Sequence, residues 1–490
     1  MKTSIFLNCA NNDILLLAMA YFRNCKLCGN PLKNGRRILE MGDGEKVHVC
    51  WSNCRETTMF LTEQTRHRLD ESPSSLDGVG PSIVIQDEPF NIGYINYDPS
   101  RYEEFLGDKK EKLTSRLIEN GIALPDEIES FASPRKFFRL RCRLGCHVKF
   151  NDNTDGKVVD KVTFLQWDEQ GVPCIIVKVL PLASETVNHI LSQMKLILEG
   201  KGAEGITLCQ YLASIQVLSS LQGQAVLTFV YDKEKNLGNI ESEWRSAASW
   251  FVRTMRLSDD FSVIGQSKGV RFEEPRGKDY VMETLNVTLP NDRNLSSKFF
   301  YKMPVDGFSN PNGHVNQLCL GWLSSVSSSL EERGDLLEMY SGCSNHTVAL
   351  ARYYNNVVCV ELNKALCEAA IHNLALNAIH NAKIITGPSE KFAKSIMKRG
   401  TYKDKEKEYS FDTVLVDPPR GGLDADTRRL LRTGPFRSII YISCSPDSLV
   451  RDLKVICDGH LFKIERFAVF DHFAYSAGHL ESGVLLVRTQ

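Results

Sequence analysis

A cysteine stands between an apolar run and a helix start in the segment YISCSPDSL, residues 441–449. Ser445 is a favourable N-cap residue, and Pro446 suits the first position of a helix. Cys444 therefore precedes a predicted helix N-terminus, where the helix dipole favours the nucleophilic thiolate over the thiol. A small cysteine buried at the end of a strand is the alternative interpretation.

A second motif, VDPPRGGLD at residues 416–424, ends an apolar run with a carboxylate. The two prolines after Asp417 fix φ and remove two backbone donors, so we expect this carboxylate to be held rigidly at a sheet edge. Arg420 is suited to bind a phosphate group or to orient the Asp417 carboxylate. The alternative interpretation, an ordinary turn at the end of a strand, explains the Asp-Pro pair but not the arginine directly after Pro-Pro. Related Asp-Pro-Pro motifs of enzymes that methylate exocyclic amines usually continue with an aromatic residue, which disfavours that class.

The segment GDLLEMYSGCSNHTVALA, residues 334–351, predicts a strand, a glycine turn and a helix. This arrangement binds nucleotide cofactors beyond the carboxyl ends of strands in α/β sheets. Glu361 ends the next apolar run and is placed to accept hydrogen bonds from a ribose. Ser344 stands where a second glycine is usual, and it narrows the space for a cofactor.

Four cysteines near the N-terminus have the spacing C-x2-C-x21-C-x3-C: Cys25, Cys28, Cys50 and Cys54. Two close pairs of thiolates can form a tetrahedral Zn²⁺ site, which would supply much of the folding free energy of so short a segment. The spacing resembles small treble-clef zinc modules, which are more often structural or docking elements than catalytic ones. Coincidence among the 15 cysteines of the chain is the alternative.

Local differences in amino-acid composition and pattern divide the chain into four regions. Residues 20–60 hold the cysteine pairs, and the polar residues 61–110 are interpreted as a linker. Residues 111–300 mix helices with alternating strands and predict an α+β domain. In residues 301–490, short apolar runs alternate with helical stretches, which predicts a mostly parallel sheet and an α/β fold.

Composition excludes several classes of protein. The chain has 490 residues, of which 42% are hydrophobic and 24% charged, as in a globular protein of two or three domains. The formal net charge of −1 disfavours a general polycation but allows a local basic surface. The odd number of scattered cysteines indicates a reducing compartment, either the cytoplasm or the mitochondrion. No run reaches the ~20 apolar residues of a membrane span, so we expect no membrane partner.

A series of motifs in residues 101–490 resembles the bacterial tRNA (uracil-5-)-methyltransferase family. The matching segments occur in the order of the family: SPRKFFRLRCRL, LPLASETVNHIL, FSNPNGHVNQL, LLEMYSGCSNHTVALA, VLVDPPRGGLD, YISCSPDSL and DHFAYSAGHLESGVLL. The resemblance implies a C-terminal Rossmann-like domain that binds S-adenosylmethionine, behind an RNA-binding domain. Residues 1–100, with the predicted zinc module, lie outside the resemblance.

The resemblance also implies roles for individual residues. Cys444 would be the nucleophile and Glu481 the general base. The cofactor site would comprise Asn310, Tyr340, Gly342, Asn345, Glu361 and Asp417. Phe308 would pack on the substrate base, and Arg420 would contact the substrate. His472 and His479, which are close to Glu481 in sequence, are interpreted as ordinary polar contacts.

Arg139, Arg141 and Arg143 alternate with apolar residues and share one face if they lie on a strand. A basic face with aromatic neighbours suits RNA, although a solvated edge strand has the same pattern. With the resemblance, this face is predicted to bind RNA. The family's usual target is the tRNA T-loop, and a ribosomal-RNA uridine is the alternative.

Several residues depart from the family pattern. Asn310 replaces a glutamine, Ser344 a glycine, His346 a phenylalanine and Ser445 an asparagine, and the segment corresponding to DQFP reads DHFA. The residues that would carry the chemistry, Cys444 and Glu481, are retained, and the changes fall among residues that would surround the cofactor and substrate. This pattern predicts a working enzyme that forms 5-methyluridine. The alternative is a catalytically degenerate RNA-binding assembly factor or tRNA chaperone. In either case the N-terminal module would serve a protein or ribosomal partner.

Overall fold

The computed structural model describes residues 95–489 apart from 154–155, 168–172, 177–178, 233–236, 258–259, 291–295, 332 and 405–406. It also describes the short segments 36–40, 46–50, 84–85 and 89–92. Cys25, Cys28 and Cys54 of the predicted zinc site lie outside the described residues. Cys50 is described only as the last residue of a strand. The zinc site therefore stays a prediction.

The strands, in chain order, are β1 (Arg36–Glu40), β2 (Lys46–Cys50), β3 (Val84–Ile85), β4 (Phe90–Ile92), β5 (Ile95–Tyr97), β6 (Ile128–Phe131), β7 (Arg141–Asn153), β8 (Gly156–Trp167), β9 (Pro173–Ile176), β10 (Leu212–Ser219), β11 (Ala225–Tyr231), β12 (Ser262–Ser267), β13 (Val270–Glu274), β14 (Tyr280–Thr288), β15 (Ser296–Pro304), β16 (Asp335–Met339), β17 (Asn356–Glu361), β18 (Ala382–Thr386), β19 (Tyr402–Lys403), β20 (Glu408–Tyr409), β21 (Phe411–Val416), β22 (Ser438–Ser443), β23 (Phe462–Phe470) and β24 (Glu481–Arg488).

The α-helices are α1 (Tyr102–Glu119), α2 (Glu185–Leu198), α3 (Ala203–Cys209), α4 (Glu241–Met255), α5 (Gly313–Ser329), α6 (Asn345–Leu350), α7 (Lys364–Leu376), α8 (Ser389–Arg399), α9 (Ala425–Thr433) and α10 (Pro446–Ile456). Among the described residues, no helix is long and apolar enough to cross a membrane.

The C-terminal half is built on an eight-stranded sheet in the order β18-β17-β16-β21-β22-β24-β23-β6. The first five strands run parallel, whereas β24 is antiparallel to both β22 and β23. The central strands are buried almost throughout, as expected for a sheet covered on both faces. The chain winds outward in opposite directions from β16, so the crevice between β16 and β21 is the topological switch point where α/β sheets bind ligands.

A second eight-stranded sheet forms the central domain, in the order β13-β12-β11-β10-β7-β8-β9-β3. Helices α2, α3 and α4 pack on it around a core that includes Trp244 and Phe251. The predicted alternation near the start of β7 is observed: Leu140, Cys142 and Leu144 are buried, while the arginines between them are partly exposed.

Two segments N-terminal to the central domain belong to the C-terminal layers. Helix α1 buries Tyr102 and Leu113 in the same core as Met339 and Tyr441, and β6 pairs in parallel with β23. The hairpin β14–β15 packs against α5 and α7. The domain boundaries predicted at residues 111 and 300 thus fall inside α1 and β15. Contacts between segments distant in sequence, rather than local composition, decide which layer α1 and β15 join.

Candidate active site

The turn after β16 has an unusual backbone. Tyr340, Gly342 and Ser344 all adopt left-handed conformations, with φ values of 62°, 56° and 61°. A non-glycine residue in this region costs roughly 1–2 kcal/mol, which accounts for the glycine usually found at position 344. Such strain persists where the surrounding structure requires it and is concentrated at ligand sites.

Glu361 lies against this turn at the end of β17. Its carboxylate accepts hydrogen bonds from the backbone N–H of Gly342 at 3.0 Å and of Asn363 at 2.7 Å. Since an ionised carboxylate has about four acceptor sites, capacity remains for the two hydroxyls of a ribose. The predicted acidic residue and glycine turn are therefore adjacent, and they fit a nucleoside cofactor.

Three asparagine side chains connect the loop before α5 to the same turn. Asn316 and Asn345 exchange two amide hydrogen bonds of 3.0 Å, and Asn310 donates to Asn316 at 3.0 Å. The predicted residues Asn310 and Asn345 are thus brought together through Asn316, which sequence reasoning missed. Asn316 lies in the quoted segment FSNPNGHVNQL and is buried on α5, but nothing in its local sequence marks it as the link between the other two asparagines.

Cys444 and Glu481 lie side by side at the ends of two neighbouring strands. The antiparallel pair β22–β24 ends with Ser443 opposite Ser482, so Cys444 and Glu481 are the next residues at the same end of the two strands. Cys444 is partly exposed and Glu481 is buried. The nucleophile and base implied by the resemblance are thus neighbours.

The local structure after Cys444 confirms the prediction from sequence. Helix α10 begins at Pro446, and the Ser445 hydroxyl accepts the N-cap hydrogen bond from the backbone N–H of Ser448. The thiol therefore lies just before a helix N-terminus, where the dipole favours the thiolate.

Helix α10 also holds the loop that follows Asp417. Asp452 accepts hydrogen bonds from Tyr441 Oη at 2.7 Å and from the backbone N–H of Leu423 at 2.9 Å. Gly422 has a φ of +72°, and a Cβ there would lie 2.6 Å from Asp452 Oδ2. The glycine is required because helix and loop pack so closely. The segments bearing Cys444 and Asp417 are therefore fixed to each other.

Asp417 and Glu481 have opposite electrostatic environments. Burial, together with the charges of Glu481 and Glu338, raises the pKa of Asp417 to about 7, against the attraction of His346. Burial also disfavours the charged form of Glu481, but His472 and His346 outweigh it and hold the pKa of Glu481 below its ordinary value. At neutral pH Glu481 is therefore ionised, while Asp417 is near its titration midpoint.

The predicted substrate residues lie in two places. Phe308 is exposed to 61% on the loop before α5. Arg420 and Arg139 are both close enough to His479 to contribute to lowering its pKa to about 4, after the larger effect of burial. Two of the predicted arginines therefore provide positive charge near the loop that leads to Glu481. Arg143 lies within β7 opposite Gln216.

Arg141 is engaged within the protein. Its guanidinium donates to the carbonyl oxygens of Val305 at 2.9 Å and Gly307 at 2.8 Å, with a longer contact to the Ser309 hydroxyl. These bonds fix the turn that carries Phe308. The geometry therefore favours a positioning role for Arg141 over the phosphate contact predicted from the sequence.

Comparison with known proteins identifies the family. A profile described as tRNA (Uracil-5-)-methyltransferase matches residues 101–489. The tRNA/tmRNA (uracil-C(5))-methyltransferase of Pseudomonas entomophila is 33% identical over 396 residues, covering 80% of this chain and 99% of the relative. The Psychromonas ingrahamii protein of the same name is 33% identical over 395 residues, covering 80% of this chain and 98% of the relative.

A solved structure shares the fold. The Pyrococcus abyssi tRNA (uracil-54, C5)-methyltransferase, solved with S-adenosyl-L-homocysteine, superposes with a TM-score of 0.51 at 21% identity and covers 79% of this chain and 83% of its own. The region matched by the family profile includes Cys444, Glu481 and every predicted cofactor residue. The chain belongs to the tRNA (uracil-5-)-methyltransferase family.

Proposed function

We propose that this protein is an S-adenosylmethionine-dependent tRNA (uracil-5-)-methyltransferase that forms 5-methyluridine in the T-loop through a covalent bond between Cys444 and the uracil. One observation supports this proposal above the others. The register of β22 and β24 sets a cysteine at a helix N-terminus beside an ionised glutamate. Both lie on the sheet edge that carries Asp417 and the nucleoside-type turn.

The reaction requires a nucleophile and a base. Carbon 5 of uracil is a weak nucleophile, but addition of the Cys444 thiolate to carbon 6 converts the ring into an enolate that can be methylated at carbon 5. Glu481 then removes the carbon 5 proton, so that the thiolate is eliminated and the ring regains its double bond. Covalent catalysis in this way divides one difficult step into easier ones.

The cofactor fits the turn after β16. S-adenosylmethionine supplies the methyl group as an electrophilic sulfonium. Glu361 would bind its ribose, and the linked amides of Asn310 and Asn345 would border its site. Asp417, between this turn and Cys444, would position the uracil edge or the reacting centre.

The substrate uridine must leave its base stack to reach Cys444. Phe308 is placed to stack on an extruded base, since its ring is exposed on a loop that Arg141 holds. Arg420, Arg139 and Arg143 would contact the RNA backbone. The predicted zinc module, with Cys25, Cys28, Cys50 and Cys54, would dock a protein or ribosomal partner. We expect this in a reducing compartment, the cytoplasm or the mitochondrion.

Nucleoside mass spectrometry tests the function directly. Purified protein is incubated with an unmodified tRNA transcript and S-adenosylmethionine, and the digested RNA is examined for 5-methyluridine. The proposal predicts product with the wild type and none with Cys444→Ala. Absence of product from wild-type protein that binds the transcript would instead favour the degenerate RNA-binding scaffold, with Ser344 as the first position to revert to glycine.

A further inference from the structure

His472 is a buried histidine beside the candidate base. It lies in the loop between β23 and β24, its side chain is completely buried, and its Nε2 is 3.3 Å from Glu481 Oε1. In the described part of the chain, neither ring nitrogen has an aligned hydrogen-bond partner. Because buried polar groups normally have such partners, this imidazole requires a functional explanation.

The backbone that carries His472 is firmly held. The preceding residue, Asp471, accepts hydrogen bonds from Lys109 Nζ at 2.5 Å and Tyr102 Oη at 2.9 Å, both on α1. Its own backbone N–H donates to the Phe131 carbonyl at 3.0 Å. Two elements from outside the loop, α1 and β6, therefore hold the residue next to His472 in place, and with it the backbone that brings the imidazole to Glu481.

We propose that His472 is a positioning residue that keeps Glu481 ionised and directed at the substrate; the inference rests on the proposed function. The Nε2–H of the imidazole, or of the imidazolium, faces the carboxylate at ion-pair distance. Catalytic hydrogen bonds are often long or misaligned before substrate binds and tighten afterwards. Position 472 is one of the departures from the family pattern, so this chain supports its base with a histidine of its own.

The surroundings of Glu481 explain why such support is required. Asp417, on the loop after β21, adds negative charge nearby, and His346 on α6 faces both carboxylates, with Glu338 of β16 behind it. Burial and the neighbouring Asp417 would both favour a protonated Glu481. His472 and His346 are the groups that oppose these effects at Glu481, and the Nε2 of His472 lies 3.3 Å from its carboxylate.

The affected step is the last one. Glu481 takes the carbon 5 proton, the electron pair of that C–H bond forms the carbon 5–carbon 6 double bond, and the carbon 6–sulfur bond breaks with its pair returning to Cys444. A protonated Glu481 cannot accept this proton. Loss of His472 should therefore slow elimination, and not thiolate addition or methyl transfer, and should do so most at low pH.

The test compares the wild type, His472→Gln and the matched control His372→Gln, whose histidine is exposed on α7. Turnover on a tRNA transcript is measured from pH 6 to pH 9, together with the SDS-resistant protein–RNA complex that carries radiolabelled methyl. Trapping by 5-fluorouridine-substituted transcript reports the steps before elimination, since fluorine cannot be removed as a proton.

Without His472, burial and the nearby Asp417 would raise the pKa of Glu481 above pH 6, as burial and neighbouring carboxylates do for Asp417. A carboxyl group is ionised only to about one tenth at a pH one unit below its pKa. We expect His472→Gln to lose about tenfold or more in turnover at pH 6, to approach the wild type by pH 9, and to accumulate the methylated complex. Trapping should proceed at the wild-type rate. The control should match the wild type throughout.

Two results for His472→Gln would overturn the inference. The first is a pH profile and a yield of methylated complex equal to those of the wild type. The second is an equal loss of turnover at every pH together with slower trapping, which marks a purely structural role. The Glu481→Gln background guards against misfolding, because the double variant should trap the 5-fluorouridine-substituted transcript at the rate of Glu481→Gln alone. A wild type without 5-methyluridine would refute the function and this inference together, whereas an active wild type with an unaffected variant refutes the inference alone.

Discussion

Substitution of Arg141 tests whether the arginines near the start of β7 share one role, contact with the RNA backbone. Replacement by glutamine removes the charged donor from two hydrogen bonds shorter than 3 Å to the turn at residues 304–307. Hydrogen bonds from charged groups contribute about 1.5–3 kcal/mol each, so the variant should lose about 3 kcal/mol of stability. For a domain of 150–250 residues this corresponds to roughly 6–12 °C in melting temperature.

The effect on RNA binding distinguishes a positioning role from a phosphate contact. Loss of a phosphate contact reduces the slope of log affinity against log salt by about 1. Arg141→Gln should leave this slope unchanged while it lowers the melting temperature and weakens binding through the displaced Phe308. The matched variant Arg143→Gln should reduce the slope by about 1. A wild-type melting temperature with a reduced slope in Arg141→Gln would show instead that Arg141 contacts an RNA phosphate.

Three further predictions concern single groups of the site. Glu361→Gln should weaken S-adenosylmethionine binding at least about tenfold in calorimetry, through hydrogen bonds to the ribose that lose their charged acceptor, with RNA affinity unchanged. Because Asp417 loses its proton near pH 7, affinity for the cationic cofactor should rise between pH 6 and pH 8. That rise should be absent for S-adenosylhomocysteine and in Asp417→Asn; a rise that persists in the variant would exclude Asp417 as its source. Phe308→Ala should weaken RNA binding by about 1–3 kcal/mol in a filter-binding assay with an unchanged melting temperature; undiminished affinity would remove Phe308 from the base-binding surface.

Local rules predicted the chemical groups well. The N-cap at Ser445, the proline at the first helical position and the glycine turn at Gly342 each depend on a few adjacent residues. The carboxyl ends of parallel strands necessarily share one edge of a sheet. Asp417, Glu361 and Cys444 each come at the carboxyl end of a parallel strand, so they lie along one edge of the sheet.

Contacts between distant segments could not be predicted from the same rules. The ion pair between Lys109 and Asp471 joins residues 362 positions apart, and nothing local marks either as a partner of the other. The engagement of Arg141 by the turn at 304–307 depends on how two domains meet. The burial of His472 and its distance to Glu481 follow only from the packed loop. The sequence alone therefore indicates no more than an ordinary polar residue at this position.

The proposed function depends above all on a covalent bond between Cys444 and the substrate. The most direct measurement is mass spectrometry of the peptide crosslinked to a 5-fluorouridine-substituted tRNA transcript in the presence of S-adenosylmethionine. We expect a single uridine-bearing peptide, modified at Cys444, from the wild type and from Glu481→Gln, because addition precedes proton removal. Modification at another cysteine, or no crosslink from a preparation that makes 5-methyluridine, would contradict it.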